Sequence, residues 1–350
     1  MTARLIGRAA RVACAAILLA LGAASSAYAL DAFWQGRRDA FWQHGNNGLG
    51  VSNWYSKPPL RGQPLEVPNR AAIFAEGALE YDIVIREPES ISLMVFRKNP
   101  ERYTFAVRWS LTIRNGGIRN YDPSPPLFTI FKNGAMLFRD NAELVADGDW
   151  KSALIKIRRG GQLWFQEHSR GGNAAVENYG GDIFFLEMAS AGRMTINNNP
   201  QPDGGKPSIT DFGGRSTGGN AHFSNGRNGI LSFADTRGPV GEGVSAGRID
   251  NDGRLQVGNT ALNVRDSFTQ GSRGTLWITH GETRHGSIHV KNDMRLGGTL
   301  LTTGFFRPDL VGRHTILRAE GRRIGRFDNE TLNGGRLEYG PKTVVLVIGD

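Results

Sequence analysis

One short motif recurs along this chain and limits its fold more than any other feature. A glycine is followed by an apolar residue, any residue, and then an apolar or aromatic one. It appears as Gly134-Ala-Met-Leu-Phe138, Gly161-Gln-Leu-Trp-Phe165, Gly181-Asp-Ile-Phe-Phe185, Gly229-Ile-Leu-Ser-Phe233, Gly253-Arg-Leu-Gln-Val257, Gly274-Thr-Leu-Trp-Ile278 and Gly298-Thr-Leu-Leu301. The starting glycines are 27, 20, 48, 24, 21 and 24 residues apart. The 48 is about two periods and holds a Pro/Asn/Gly-rich insertion, Asn197 to Pro207. A period in the low twenties is that of a β-solenoid coil, in which each coil supplies a few short strands. One coil cannot bury its inward face, but stacked coils share one apolar column. The expected fold is all-β, a right-handed parallel β-helix; strand spacing by itself also allows a β-sandwich or jelly roll.

The rest of the composition agrees. Glycine is 47 of 350 residues, roughly twice ordinary usage. Asn115-Gly116, Asn133-Gly134, Gly160-Gly161, Gly180-Gly181, Asp252-Gly253 and Gly297-Gly298 mark turns that need positive φ. Between them lie short runs of Val, Ile, Leu, Phe and Thr, and no long stretch of period 3.6 follows residue 29.

Residues 1–29 have a different character. Arg4, Arg8 and Arg11 precede an apolar run from Val12 to Ala24, then Ala27-Tyr28-Ala29. A basic segment, a short apolar segment and a small-x-small site read as a secretory signal peptide cleaved after Ala29. The run is too short to span a bilayer of ~30 Å. Cleavage removes Cys14, the one cysteine, and lowers the formal charge from +9 to +6 (9 − 3 arginines). The mature chain then has no disulfide, thiolate metal site or cysteine nucleophile. The chain divides into a signal peptide over 1–29, an aromatic cap and first coil over 30–78, helix coils over 79–293 with the insertion near 197–207, and closing coils over 294–350. Asp31-Ala-Phe-Trp-Gln35 recurs as Asp39-Ala-Phe-Trp-Gln43, and with Trp54 this puts three of seven tryptophans near the mature start. A solenoid end exposes core and strand edges, so these aromatics suit a cap; carbohydrate stacking is the alternative.

Several weak motifs then occur in a telling order. Phe33-Trp34-Gln35-Gly36, Phe41-Trp42, Asn53-Trp54, Pro58 and Pro68-Asn69-Arg70-Ala71-Ala72-Ile73-Phe74 open the mature chain. Gly171-Gly172-Asn173-Ala174, Ser190-Ala191-Gly192 and Ser216-Thr217-Gly218-Gly219-Asn220-Ala221 punctuate its middle. Gly297-Gly298-Thr299-Leu300, His314-Thr315-Ile316-Leu317-Arg318-Ala319 and Gly325-Arg326-Phe327 close it. Over most of residues 31–350 the chain resembles the passenger domain of autotransporters with β-strand repeats. The resemblance implies a Gram-negative bacterial protein, a β-helix displayed at the cell surface, and an adhesive role. Arg70 departs from the family, which more often has an acidic or small polar residue there. A larger departure follows the run Thr343 to Ile348, where no alternating strands of a membrane barrel appear; a separately encoded outer-membrane barrel is the expected partner.

Catalytic and metal signatures are thin. There is no Gly-Asp-Ser-Gly and no Gly-x-Ser-x-Gly nucleophile elbow. Gly214-Arg-Ser-Thr-Gly-Gly219 lacks the lysine of a phosphate loop. Asp250-Asn251-Asp252-Gly253 has oxygens suited to Ca²⁺ but no closing glutamate, and reads as a turn. His280, His285 and His289, with Glu282, form the densest histidine group, yet offsets of 5 and 4 do not put all three on one strand face. Asp203, Asp211 and Arg215 are candidates for a polysaccharide lyase or hydrolase, the rival reading, with nothing to fix their convergence. The expectation is therefore no catalytic, cofactor or metal residue, and no cofactor. The reading favours a non-enzymatic adhesion or scaffold module, secreted, on the cell surface or in the periplasm. It is expected to be monomeric. Its positive charge would favour acidic polysaccharide, lipopolysaccharide or a host surface, with no specific nucleic-acid motif.

Overall fold

A computed structural model describes residues 31–45, 52–56, 63–199, 205–280, 285–304, 311–332 and 334–349; the segment read as a signal peptide lies outside them. Every regular element among the described residues is a strand. The strands stack in parallel as a β-solenoid of about nine turns. Three sheets run along it, with sixteen, eleven and six described strands.

The glycine module builds the longest sheet. Its strands are Ala135–Phe138, Gln162–Phe165, Asp182–Phe185, Ile230–Thr236, Arg254–Val257, Thr275–Thr279 and Thr299–Thr303. The double spacing contains one further strand, Ile209–Gly214, paired between Asp182–Phe185 and Ile230–Thr236. Asn197–Asn199, read from sequence as the start of the insertion, are instead the end of strand Thr195–Asn199 in the second sheet. Residues 200–204 lie outside the described set.

Equivalent positions on successive coils lie in register, so like side chains meet. Phe138, Phe165, Phe185, Phe212 and Phe233 are fully buried and form one stack. Successive ring centroids are 4.9, 4.8, 4.7 and 4.6 Å apart and nearly parallel, with interplanar angles of 8°, 5°, 6° and 12°. That separation is close to the ~4.7–4.9 Å between hydrogen-bonded strands, so the backbone ladder sets the stacking distance.

A second internal row is polar. Asn178, Asn198, Asn225 and Asn251 are buried, and each donates from Nδ2 to the next. Asn178 donates to Asn198 Oδ1 at 3.2 Å, Asn198 to Asn225 at 3.1 Å and Asn225 to Asn251 at 2.7 Å. Asn251 ends the row on Gln270 Oε1 at 2.9 Å. Each of these four asparagines also donates to a backbone carbonyl, as Asn198 does to Ile230. A buried amide is tolerated when it is bonded in this way.

The recurring Gly-Asn/Arg turn has a steric cause. Gly172, Gly192 and Gly219 occupy the same place on successive coils with φ of 56°, 65° and 62°. A Cβ on Gly172 would lie 1.6 Å from the Leu144 carbonyl oxygen. Only glycine fits a left-handed turn pressed so closely on the coil beneath.

The ends are covered by antiparallel strands. At the N-terminal end Asp31–Trp34 pairs in parallel with Ala71–Phe74 and antiparallel with Trp54–Tyr55. Trp34, Trp42 and Trp54 are buried and meet edge to face, 5.0 and 4.8 Å apart. They close the core and have no face open to a sugar. Arg70, the departure from the family pattern, clasps Asp31 through Nε at 2.7 Å and Nη2 at 2.6 Å, joining the first strand to the coil. At the other end Gly312–Ala319 pairs antiparallel with Thr343–Ile348, which pairs with Arg336–Tyr339.

This N-terminal region stores a titratable strain. Burial, with the nearby Glu87 carboxylate adding to it, pushes Glu89 up to about 7. The Trp42 indole N–H opposes this only in part, since it makes no hydrogen bond of normal geometry. A folded pKa above the unfolded value means stability is full below about 4.5 and declines as pH rises through about 7. Glu89→Gln should therefore leave stability unchanged near pH 4 and raise it by up to ~3 kcal/mol at pH 8. Thermal melts at the two pH values check this; equal melting of variant and parent at pH 8 would contradict the burial.

Candidate functional site

The structure sorts the residues singled out from sequence. Asp250 and Asn251, read as part of a turn, belong to strand Arg248–Asn251; only Asp252-Gly253 leaves the strand. Asn251 is committed to the internal amide row. Asp250 is half-buried, which alone would raise its pKa, but hydrogen bonds from His222 at 3.0 Å and Arg248 at 2.9 Å hold it below the usual carboxylate range. Asp211 is buried in the long sheet, while Arg215 stands exposed in the turn after it. Asp203 lies outside the described residues.

His280 and His285 face each other across an isolated antiparallel bridge, their rings 6.1 Å apart. The neighbour that joins them is His314, with its ring 5.4 Å from His285; it is distant in sequence and was read there as part of the closing motif, not with the histidines. His289 projects from strand Ser287–Val290 and is exposed. Glu282 is outside the described residues. Burial, then the charges of His314, His280 and His289, lowers the His285 pKa, against a hydrogen bond to the Thr315 carbonyl. Among the described residues no three His, Cys, Asp or Glu side chains are placed to hold a metal ion.

Carboxylates and arginines do meet at one turn. Asp140 and Glu167 take the same place on adjacent coils, each with φ of 59°. Glu167 accepts from the Asp140 backbone N–H at 2.7 Å and pairs with Arg139 at 3.1 Å. Burial and then the Glu167 carboxyl raise the Asp140 pKa, opposed by Arg114 and Arg139. Glu167 thus caps a left-handed turn.

A groove of about 620 Å³ crosses the next stretch of the same turn region. Isolated bridges align Glu143, Arg170, Ser190 and Thr217 in one row across four coils. Further backbone bonds set the other positions: Arg193 N–H to the Gly172 carbonyl, and Arg215 N–H to that of Glu187. Three consecutive coils therefore contribute one exposed arginine each to the groove: Arg170, Arg193 and Arg215. Arg265 reaches in from the third sheet and is held by the Asn220 side-chain oxygen at 2.9 Å. Among the described residues none of these four guanidinium groups forms an ion pair, although Glu143 and Glu242 also line the groove. The lining also includes Ser190, Thr217 and the exposed apolar side chains of Val145, Met188 and Val240. The Asp140–Glu167 pair is not part of the lining.

No family model matches the chain, and no curated protein matches it either.

Proposed function

We propose that this protein is exported and works as an autotransporter passenger-like β-helix, a non-enzymatic adhesion or scaffold module at the cell surface or in the periplasm. The observation that carries this reading is the groove. It is open and is built by several coils in succession, and its lining combines guanidinium, carboxylate, hydroxyl and apolar groups. Such a surface offers many modest contacts in a row, which suits holding an extended partner. The rival reading, a polysaccharide lyase or hydrolase, would draw on the groove carboxylates Glu143 and Glu242 with Arg215; the Asp140–Glu167 pair holds a turn and stands apart from the groove.

The test joins export to activity. Protein recovered from periplasm or medium should begin at Leu30, and it should be retained on intact cells. Incubated with pectate or alginate, with and without Ca²⁺, it should release no product with the ultraviolet absorbance of an unsaturated sugar. Turnover that disappears on Glu143→Gln or Glu242→Gln would replace adhesion with catalysis.

A further inference from the structure

We infer that the arginine groove is a binding site for a linear anionic polysaccharide whose sugars carry carboxylate or sulfate groups, lying along the solenoid axis. This rests on the binding role proposed above and names its ligand. The argument starts from spacing. Adjacent coils are about 4.7–4.9 Å apart, close to the length of one sugar unit in an extended chain. Arg170, Arg193 and Arg215 come from three consecutive coils, so a ligand along the axis meets a new guanidinium at each step. These arginines sit at three different places within the turn, which spreads them across the groove. A ribbon-like chain with anionic groups alternating from side to side would meet them.

Charge is the second step. An arginine with a carboxylate partner has little left for a ligand, and many arginines of this protein are so engaged, such as Arg70 with Asp31 and Arg322 with Asp293. The groove arginines have no such partner among the described residues, and Arg265 is held by a neutral amide that leaves its charge uncompensated. Four arginines face two glutamates, so the groove carries net positive charge. A planar guanidinium presents two parallel donors, the geometry that carboxylate and sulfate oxygens accept.

The remaining lining separates the classes of polyanion. Single-stranded nucleic acid is held by aromatic platforms on which bases stack, and among the described residues no aromatic side chain lines this groove. Sugar hydroxyls need small polar partners, and the half-buried Ser190 hydroxyl is one; Thr217 and Asn173 also line the groove but are engaged with Ser245 and with Ser152 and Trp150. Val145, Met188 and Val240, all exposed, offer apolar surface to the faces of the sugar rings.

The experiment measures binding of the mature protein to polygalacturonate, to heparin, to neutral dextran and to a single-stranded oligonucleotide, by calorimetry at low and physiological salt. Arg170→Ala/Arg193→Ala/Arg215→Ala is compared with a charge-matched control, Arg102→Ala/Lys132→Ala/Arg295→Ala, whose residues are exposed away from the groove. The parent should bind an anionic polysaccharide and not dextran. The groove variant should bind it about tenfold more weakly, a change of about 1.4 kcal/mol, with the salt dependence flattened by about two units of slope at ~0.7 per lost contact. The control should bind like the parent, and circular dichroism should show both variants folded. Preference for polygalacturonate assigns a carboxylate-bearing source, and preference for heparin a sulfated one. Equal losses in both variants, binding of dextran, or tighter binding of the oligonucleotide would overturn the inference. Cells still held by the groove variant would sink the groove assignment and leave the adhesive role standing; cleavage of the polymer would remove the adhesive role instead.

Discussion

Replacing Phe165 with alanine should cost the protein about 3–5 kcal/mol of stability. The ring is fully buried, with Phe138 on one side at 4.9 Å and Phe185 on the other at 4.8 Å. Two contributions add. The transfer free energy of a buried aromatic side chain is lost, and a cavity opens where the ring was. In a compact globule the walls of such a cavity relax inward and recover part of the loss. Here they are the coils above and below, held apart by the ladder Met136–Leu163–Ile183 and its neighbours in register. The coils cannot approach without breaking that ladder, so the loss should fall in the upper part of the range. Phe165→Leu keeps most of the volume and should lose much less. Denaturant melts of the two variants check the argument. A loss below about 1 kcal/mol for alanine would mean that the stack is not what holds these coils together.

The fold was legible because the coil repeats a glycine and an aromatic at nearly constant spacing. Glycine marks the turn, and Phe138, Phe165, Phe185 and Phe233 sit at the same offset after it. Phe212 escaped because the coil that carries it has no glycine at the module's first place; Ser208 stands there. The internal amide row was missed for another reason. Asn178, Asn198, Asn225 and Asn251 recur at 20, 27 and 26 residues, a period as regular as that of the phenylalanines. Asparagine, however, reads as a turn residue, and a buried amide makes sense only once its partner on the next coil is known. The groove was legible only in pieces: Arg215 and the turns around Asn173, Ser190 and Thr217 stood out, but not as one surface. Its arginines fall at different offsets within their turns, so no period announces them, and only the coil register brings Arg170, Arg193 and Arg215 onto one face. His314 joined the other histidines by the same route, through the register of the third sheet.

The amide row gives the second large expected effect, and it tests polarity rather than volume. Asn198 is 2% exposed and has all its bonds made. Its Oδ1 accepts from Asn178 Nδ2 at 3.2 Å and from Thr210 Oγ1 at 2.9 Å, while its Nδ2 donates to Asn225 Oδ1 at 3.1 Å and to the Ile230 carbonyl at 3.2 Å. Asn198→Asp changes almost no volume. Its first oxygen still accepts, but the second now faces the Asn225 and Ile230 oxygens with no proton to give. A buried carboxylate with such neighbours should cost ~3–5 kcal/mol at pH 7. The same environment raises the folded pKa of the introduced aspartate above its unfolded value of about 3.9. The variant's stability is then greatest below that value and is lost as pH rises through the folded one. Protonation restores one donor, so the gap to the parent should be narrow at pH 4 and wide at pH 7. The Glu89 titration is common to both proteins and cancels in that difference. Asn198→Ala provides the contrast. It leaves the Asn178 and Thr210 donors and the Asn225 and Ile230 acceptors without this partner at any pH, for a loss of about 2–4 kcal/mol that stays nearly constant from pH 4 to pH 7. Urea melts across that range decide the matter: an aspartate variant as stable as the parent at pH 7, or a gap that does not change with pH, would mean that the asparagines do not form a continuous buried row.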